Sequence, residues 1–333
     1  LEGFKDLEGI KIIVFYPENG VSKIQEVQMT TTTGNNTSVV AVEGNFDDCQ
    51  TGVKSIFGDK EFNQRILQSG YQFSSANSIN WGRLVPQIVY YFSTYAYFLK
   101  DQVVKPGDKI NISVPTGNFG NILAAYYASR MGLPVNKFIC ASNDNKVLTD
   151  FLRTGIYDAN RDFKRTISPS MDILISSNLE RFLFEMTDHN SDKINNWYQE
   201  LKESGKFEID NKTLENIKSI FIGDFAAESE ACQTIKDIFT EYRYTLDPHT
   251  AVAVNVYQKC HESIKETPIT VVDSTANPYK FSQAVLQSLS ELLDKYINSD
   301  NEYESLEKLQ EITGMEIHRA LKNLDQKEVR HKR

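Results

Sequence analysis

The stretch with the clearest chemical potential is Ser113-Val114-Pro115-Thr116-Gly117-Asn118-Phe119-Gly120-Asn121, which leads into Ile122-Leu123-Ala124-Ala125-Tyr126-Tyr127. A short alternating strand precedes it and an Ala-, Leu- and Tyr-rich segment of helical spacing follows it. Strand, glycine turn and helix start in that order let backbone N–H groups gather around an anion, with the positive end of the helix dipole behind them. The stretch therefore reads as a phosphate-holding turn. It is not a dinucleotide fingerprint, because its glycines stand three apart, and no Gly-Lys-Ser/Thr follows as in a P-loop. The same turn also serves in many folds as a plain connection. Asn118 and Asn121, which can bond an anion or accept left-handed geometry, favour ligand contact.

Two further sets of residues have chemical potential. Asn80 and Arg83 are one helical turn apart and share a face. Arg83 offers a planar fork matched to phosphate, or forms a surface ion pair. His249 follows the turn signal Asp247-Pro248 and has a side chain that can titrate near neutrality. A structural histidine capping Thr250-Ala251-Val252 is the simpler reading.

The surrounding pattern is α/β. Residues 1–10 read as a helix end closed by Gly9, and 10–17 as a buried strand stopped by Pro17 and Gly20. Ser22 caps a helix to about Thr30, 37–44 is a second strand, and Asp47 and Asp48 open a helix to Gly58. A third strand is expected at 71–75. The apolar run 88–99 reads as a buried helix, 109–113 and 137–143 as strands, and 150–154 as helix ended by Gly155. Strands alternating with helices predict parallel βαβ units. Around 175–245 the pattern changes to a peripheral, charged helical excursion, its first helix capped by Ser177 or Asn178. A last strand covers 268–273, and helices run on to the basic tail Arg330-His331-Lys332-Arg333. The expected domains are 1–75, a small α/β unit, and 76–333, a large phosphate-binding α/β unit with the helical insertion and C-terminal helices.

At 333 residues the chain buries a full core. Its 40% hydrophobic and 24% charged residues are ordinary for a soluble globular protein. A net charge of −9 gives no sign of the basic face that nucleic acid would need. The run 88–99, interrupted by Ser93 and Thr94, is too short to span a bilayer. Cys49, Cys140, Cys232 and Cys260 have no metal-ligand spacing, so they are expected to be small core residues in a reducing, cytoplasmic compartment. The chain starts without Met and without an apolar leader, and is expected to be a piece of a longer protein.

Val114-Pro115-Thr116-Gly117-Asn118-Phe119-Gly120-Asn121-Ile122-Leu123-Ala124 closely resembles the cofactor-phosphate loop of threonine synthases. These are pyridoxal 5′-phosphate (PLP) enzymes of fold type II, the tryptophan-synthase-β type. The resemblance continues through Asn77-Ser78-Ile79-Asn80-Trp81-Gly82-Arg83, Ser168-Pro169-Ser170-Met171-Asp172-Ile173, Ser176-Ser177-Asn178-Leu179-Glu180-Arg181, Asp247-Pro248-His249-Thr250-Ala251-Val252 and Ser274-Thr275-Ala276-Asn277-Pro278-Tyr279-Lys280-Phe281. It implies that Gly117, Asn118, Phe119 and Asn121 take the PLP phosphate, with Gly120 permitting the tight turn. Thr275 would set its hydroxyl against the pyridine nitrogen. A neutral partner there leaves the ring less electron-withdrawing than a carboxylate would. Asn80 and Arg83 would approach the phosphate of the substrate.

The implied reaction converts O-phospho-L-homoserine and water to L-threonine and phosphate. It needs a Schiff-base lysine in a Phe-Lys-Asp context after a His-Gly-Pro-Thr-like stretch, and no such stretch occurs in these residues. Phe4-Lys5-Asp6 leads straight into the strand near Ile12 and matches a second Phe-Lys-Asp-like segment of the family, so Lys5 reads as an exposed helix-end lysine. The Schiff-base lysine is expected in a missing N-terminal part. The alternative is a lysine-less protein that binds phosphate or PLP without catalysis.

Overall fold

The computed structural model describes residues 1–77, 80–264, 268–293 and 302–331. Ser78 and Ile79 of the 77–83 segment, and Lys332 and Arg333 of the basic tail, lie outside the described residues. The chain packs as two compact units. One unites Leu1–Phe73, Ile235–Asp247 and Ala276–Arg333; the other unites Ser74–Thr234 and Pro248–Thr275.

The first unit opens with hydrogen-bonded turns rather than the expected helix end: Phe4 N donates to the Leu1 carbonyl, Leu7 N to the Phe4 carbonyl, and Asp6 takes a left-handed φ of 59°. Strands β1 (Ile12–Pro17) and β2 (Thr37–Val42) pair in parallel around helix α1 (Lys23–Thr30). Ser22 starts α1 with a reciprocal capping box to Gln25. Helices α2 (Phe46–Gly58) and α3 (Lys60–Gln68) follow. The strand expected at 71–75 does not form. Gly70 turns left-handed after α3, and the Phe73 ring packs on Phe57 and Phe62 of the two helices instead of joining a sheet.

The second unit is built on a four-stranded, all-parallel sheet. After helix α4 (Trp81–Lys100) come β3 (Ile110–Pro115), α5 (Gly120–Arg130), β4 (Val135–Ser142) and α6 (Val147–Thr154). The antiparallel pair β5 (Ile156–Asp158) and β6 (Lys206–Glu208) brackets α7 (Leu179–Met186) and α8 (Ser191–Ser204). Then α9 (Asn211–Ile220), β7 (Phe221–Phe225), α10 (Glu228–Tyr242), which contributes to both units, α11 (Pro248–Cys260) and β8 (Thr270–Val272) complete it. Helices α12 (Ser282–Leu289) and α13 (Glu302–Thr313) belong to the first unit. The sheet order is β7-β4-β3-β8, so β3 is an inner strand, and it is buried along its whole length. That burial on both faces is what a parallel strand covered by helices requires.

Two sequence expectations change here. The 175–245 excursion is not purely peripheral, because β7 lies in the sheet against β4, from Phe138↔Phe221 to Ser142↔Phe225. Phe221 is buried among Phe119, Phe138 and Phe182, a core role that the charged surroundings hid. Helix α4 is buried on one stripe only, Leu84, Ile88, Tyr91 and Tyr95, while Val89 and Tyr97 on other faces are exposed. Its apolar residues surround the axis, so composition alone overstated its burial. Among the described residues no helix is long and apolar enough to cross a membrane.

Helix α9 shows how local chemistry fixes an end of this unit. The Asp210 carboxylate caps it, accepting from Thr213 N at 3.0 Å and from Thr213 Oγ1 at 2.9 Å, and it pairs with Lys193 Nζ at 2.8 Å. The Lys193 hydrogen bond, ahead of the Thr213 donors, lowers the carboxyl to about 2. An unfolded Asp titrates near ~3.9, so this stabilisation is complete above that pH and is lost as pH falls through about 2. Asp210→Ala is expected to cost about 1 kcal/mol at neutral pH. Urea titrations should show the gap to wild type closing as the pH is lowered from about 4 toward 2.

Candidate functional site

The loop after β3 is held open by what surrounds it. Thr116 N donates to the Ala141 carbonyl of β4 at 2.8 Å, keeping the strand end in register. The chain then turns through Gly117 and Asn118 to Phe119, which has φ +61°, and α5 begins at Gly120. The sequence reading assigned the tight turn to Gly120. The left-handed residue is Phe119 instead, and Gly120 is the first helical residue. A bulky residue held there costs on the order of 1–3 kcal/mol. The buried Phe119 ring offsets that cost by packing at 5.2 Å on Phe182 and 5.9 Å on Phe221.

Phe119 occupies the N-cap position and has no side chain able to cap. The first backbone donor to close onto it is Leu123 N, at 3.1 Å from the Phe119 carbonyl. Gly120 and Ile122 are buried, so the N–H groups of this first turn face an interior with no side-chain cap from Phe119. A helix start in that condition is a strong anion receptor, by its donors and its dipole together.

The segment 168–178 clamps the loop from outside. Ser176 Oγ donates to the Gly117 carbonyl at 2.8 Å, and Asn178 Nδ2 and N donate to the Asn118 carbonyl at 2.8 and 3.1 Å. Asn178 does stand at the N-cap position of α7, but its side chain makes no cap bond to that helix. Ser177 Oγ bonds Asn118 Oδ1 at 3.2 Å. At Gly117 a Cβ would come within 2.7 Å of the Ser170 carbonyl oxygen and 3.2 Å of Met171 Cα, both backbone atoms. His249, in the first turn of α11 and buried, braces that same turn: its Nε2 accepts from Ser170 N at 3.2 Å, which leaves the ring proton on Nδ1.

Asn121 leads to a cluster that sequence reasoning missed. Its Oδ1 accepts from the Tyr90 hydroxyl and lies 2.6 Å from Tyr91 Oη, and its Nδ2 donates to Asp273 Oδ2. Tyr91 Oη is also 3.2 Å from Asp273 Oδ2, so one phenol proton serves two acceptors. Burial pushes the Asp273 carboxyl up against the pull of Asn121 and Tyr91, and burial with the nearby carboxylate pushes both phenols up. The Tyr90-Tyr91 pair, and an acid directly before Ser274-Thr275, were the available signals.

Through Asp273 the 117–121 loop is tied to the segment carrying Thr275, which is exposed. Asn80 caps α4, accepting from Gly82 N at 2.9 Å, and its amide donates to Ser74 Oγ and the Ser75 carbonyl. Arg83 is exposed in the first turn of α4, about 10 Å along the helix from Tyr90. Among the described residues no hydrogen bond joins Asn80 or Arg83 to the loop, and no ion pair engages Arg83. Lys5, half-buried in a turn rather than at a helix end, pairs with Glu2 at 3.4 Å. Cys49, Cys140 and Cys260 are buried free thiols and Cys232 is half-buried, in keeping with a packing role.

The family model "Threonine synthase, C-terminal" matches residues 250–331. Threonine synthase of Saccharomyces cerevisiae is 39% identical over 321 residues, covering 92% of this chain and 61% of the yeast protein. The PLP-bound threonine synthase of Brucella melitensis superposes with a TM-score of 0.76 at 36% identity, covering 94% of this chain and 66% of that one. The chain belongs to the family of threonine synthases and threonine synthase-like proteins. Human threonine synthase-like 1 is 43% identical over 286 residues, covering 85% of this chain and 38% of that protein. The chain thus spans roughly two fifths to three fifths of the curated relatives it matches. The α/β, fold type II architecture implied by the resemblance agrees with these matches and with the parallel sheet.

The close approach at Gly117 makes a direct test. Gly117→Ala is expected to destabilise the protein by about 1–3 kcal/mol, because backbone and not a flexible side-chain tip would have to move. Urea unfolding measures it.

Proposed function

We propose that this chain carries the cofactor-phosphate grip of a PLP-dependent threonine synthase. The observation that carries the reading is the buried start of α5, which follows inner strand β3 and has no side-chain cap. Ligands of open α/β sheets sit at such carboxyl ends of strands. The donor set suits a phosphate dianion: backbone N–H groups and the Asn118 side-chain amide at a helix N-terminus. In this reading Gly117, Asn118, Phe119, Gly120 and Asn121 surround the phosphate of the cofactor, mainly through their backbone. The Asn121 amide is engaged with Tyr90, Tyr91 and Asp273, so its side chain braces the helix start while its N–H faces the anion.

Thr275 offers a neutral hydroxyl to the pyridine nitrogen. Arg83, exposed and free to swing, receives the phosphate of O-phospho-L-homoserine, and Asn80 fixes the turn from which Arg83 projects. PLP, when bound, supplies an electron sink for carbon acids next to the substrate amine. This chain's residues contribute positioning and charge stabilisation around it. The lysine that links covalently to PLP lies outside these residues, and the whole protein would release phosphate and form L-threonine. With no His-Gly-Pro-Thr-like stretch in these residues, the second reading is a lysine-less relative that binds phosphate or PLP without catalysis.

Calorimetry on the chain should give PLP at least about tenfold tighter binding than pyridoxal, since charge-assisted hydrogen bonds to the phosphate supply the difference. Gly117→Ala should remove that preference. Equal affinity for pyridoxal and PLP would overturn the reading. Borohydride treatment with PLP followed by peptide mapping should label no lysine specifically, and specific labelling of Lys5 would refute its assignment. Phosphate release from O-phospho-L-homoserine by the whole protein separates the enzyme from the non-catalytic relative.

A further inference from the structure

Asp172 is only 4% exposed, and its carboxylate is held entirely by neutral donors among the described residues. Oδ1 accepts from Asn143 Nδ2 at 2.7 Å, Asn145 Nδ2 at 2.9 Å and Thr166 Oγ1 at 2.8 Å, and Oδ2 accepts from Thr166 N at 2.8 Å. Burying a carboxylate without a cation is expensive, so its retention calls for a reason beyond packing. The reason lies in what it joins. Asn143 and Asn145 stand just past the end of β4, and Asn145 is further stitched to the Lys164 backbone at 2.8 and 2.9 Å. Asp172 closes the 3-10 turn Pro169–Met171, with Asp172 N donating to the Pro169 carbonyl at 3.1 Å. That turn is the backbone against which Gly117 has no room for a Cβ.

We infer that Asp172 is a positioning residue for the phosphate loop: it fixes the 169–171 turn to the end of β4, and the turn sets where Gly117 and Asn118 present their donors. The inference rests on the phosphate-grip reading above. An amide at this position keeps the acceptor for Asn143, Asn145 and the Thr166 hydroxyl but turns an NH2 toward Thr166 N–H. The turn then shifts, and with no slack at Gly117 the loop shifts with it. Thr166→Val removes the hydroxyl donor and leaves the carboxylate with Asn143, Asn145 and the backbone N–H of residue 166.

The test is the ratio of pyridoxal to PLP dissociation constants, measured by calorimetry for wild type, Asp172→Asn, Thr166→Val and Thr166→Ser. Misplacement of the loop should lower the ratio about tenfold in Asp172→Asn and Thr166→Val, with pyridoxal affinity unchanged. Thr166→Ser, which keeps the hydroxyl, should restore it. A merely structural Asp172 would lower the melting temperature and leave the ratio at its wild-type value, which overturns the inference. Should Asp172→Asn not fold, Thr166→Val decides by the same criterion. A wild-type ratio near one would refute the phosphate grip itself, and the positioning role with it.

Discussion

The structure around the candidate site depends on how α5 begins. Gly120 and Ile122 of its first turn are buried, and Phe119 before them has no side chain able to cap their N–H groups. Such a start is stable only if something outside the helix completes it or if the fold can carry the cost. Here the chain also accepts a left-handed Phe119 to bring the helix into line with β3. Two local penalties at one point mark a place where geometry is kept for a purpose, since strain of this kind collects at ligand sites.

The supports for that point come from distant parts of the chain. The ring of Phe119 anchors to α7 and β7, and the carbonyls of Gly117 and Asn118 are taken by Ser176 and Asn178. The back of Gly117 rests on a turn held by Asp172 from one side and His249 from the other. Asn121 is tied through Asp273 to the segment before Thr275. Each support satisfies a loop group without using the first-turn N–H groups of α5. Such surroundings suit the anion site proposed for the loop, since a preorganised site avoids reorganisation when a ligand arrives.

The comparison of sequence with structure follows the range of the interactions. The strand–turn–helix device at 113–130, the cap at Ser22, and the stop at Gly155 were legible because each is set by residues within a few positions of one another. The strand at 221–225 was not legible, because its reason is Phe221 meeting Phe119, Phe138 and Phe182 across the sheet. The false strand at 71–75 has the converse cause: a β-prone string whose Phe73 found helix rings instead of a strand partner. The loop residues 117–121 stood out as a candidate by their own types and order, while Asp172, Asp273 and the tyrosine pair did not, since an acid's role depends on which donors fold around it.

The amino-acid sequence alone thus determined the alternation of strands and helices, the strand–glycine turn–helix order after β3, and, through its landmark segments, the family. Those properties reside in local spacing and residue type, which any linear reading retains. The tertiary structure alone decided that Phe119 and not Gly120 takes the left-handed turn, that Asn121 braces against Asp273, and that the 169–171 turn leaves no room at Gly117. These are contacts between residues 50 to 150 positions apart, and they exist only once the sheet has set the ends of β3, β4 and β8 side by side.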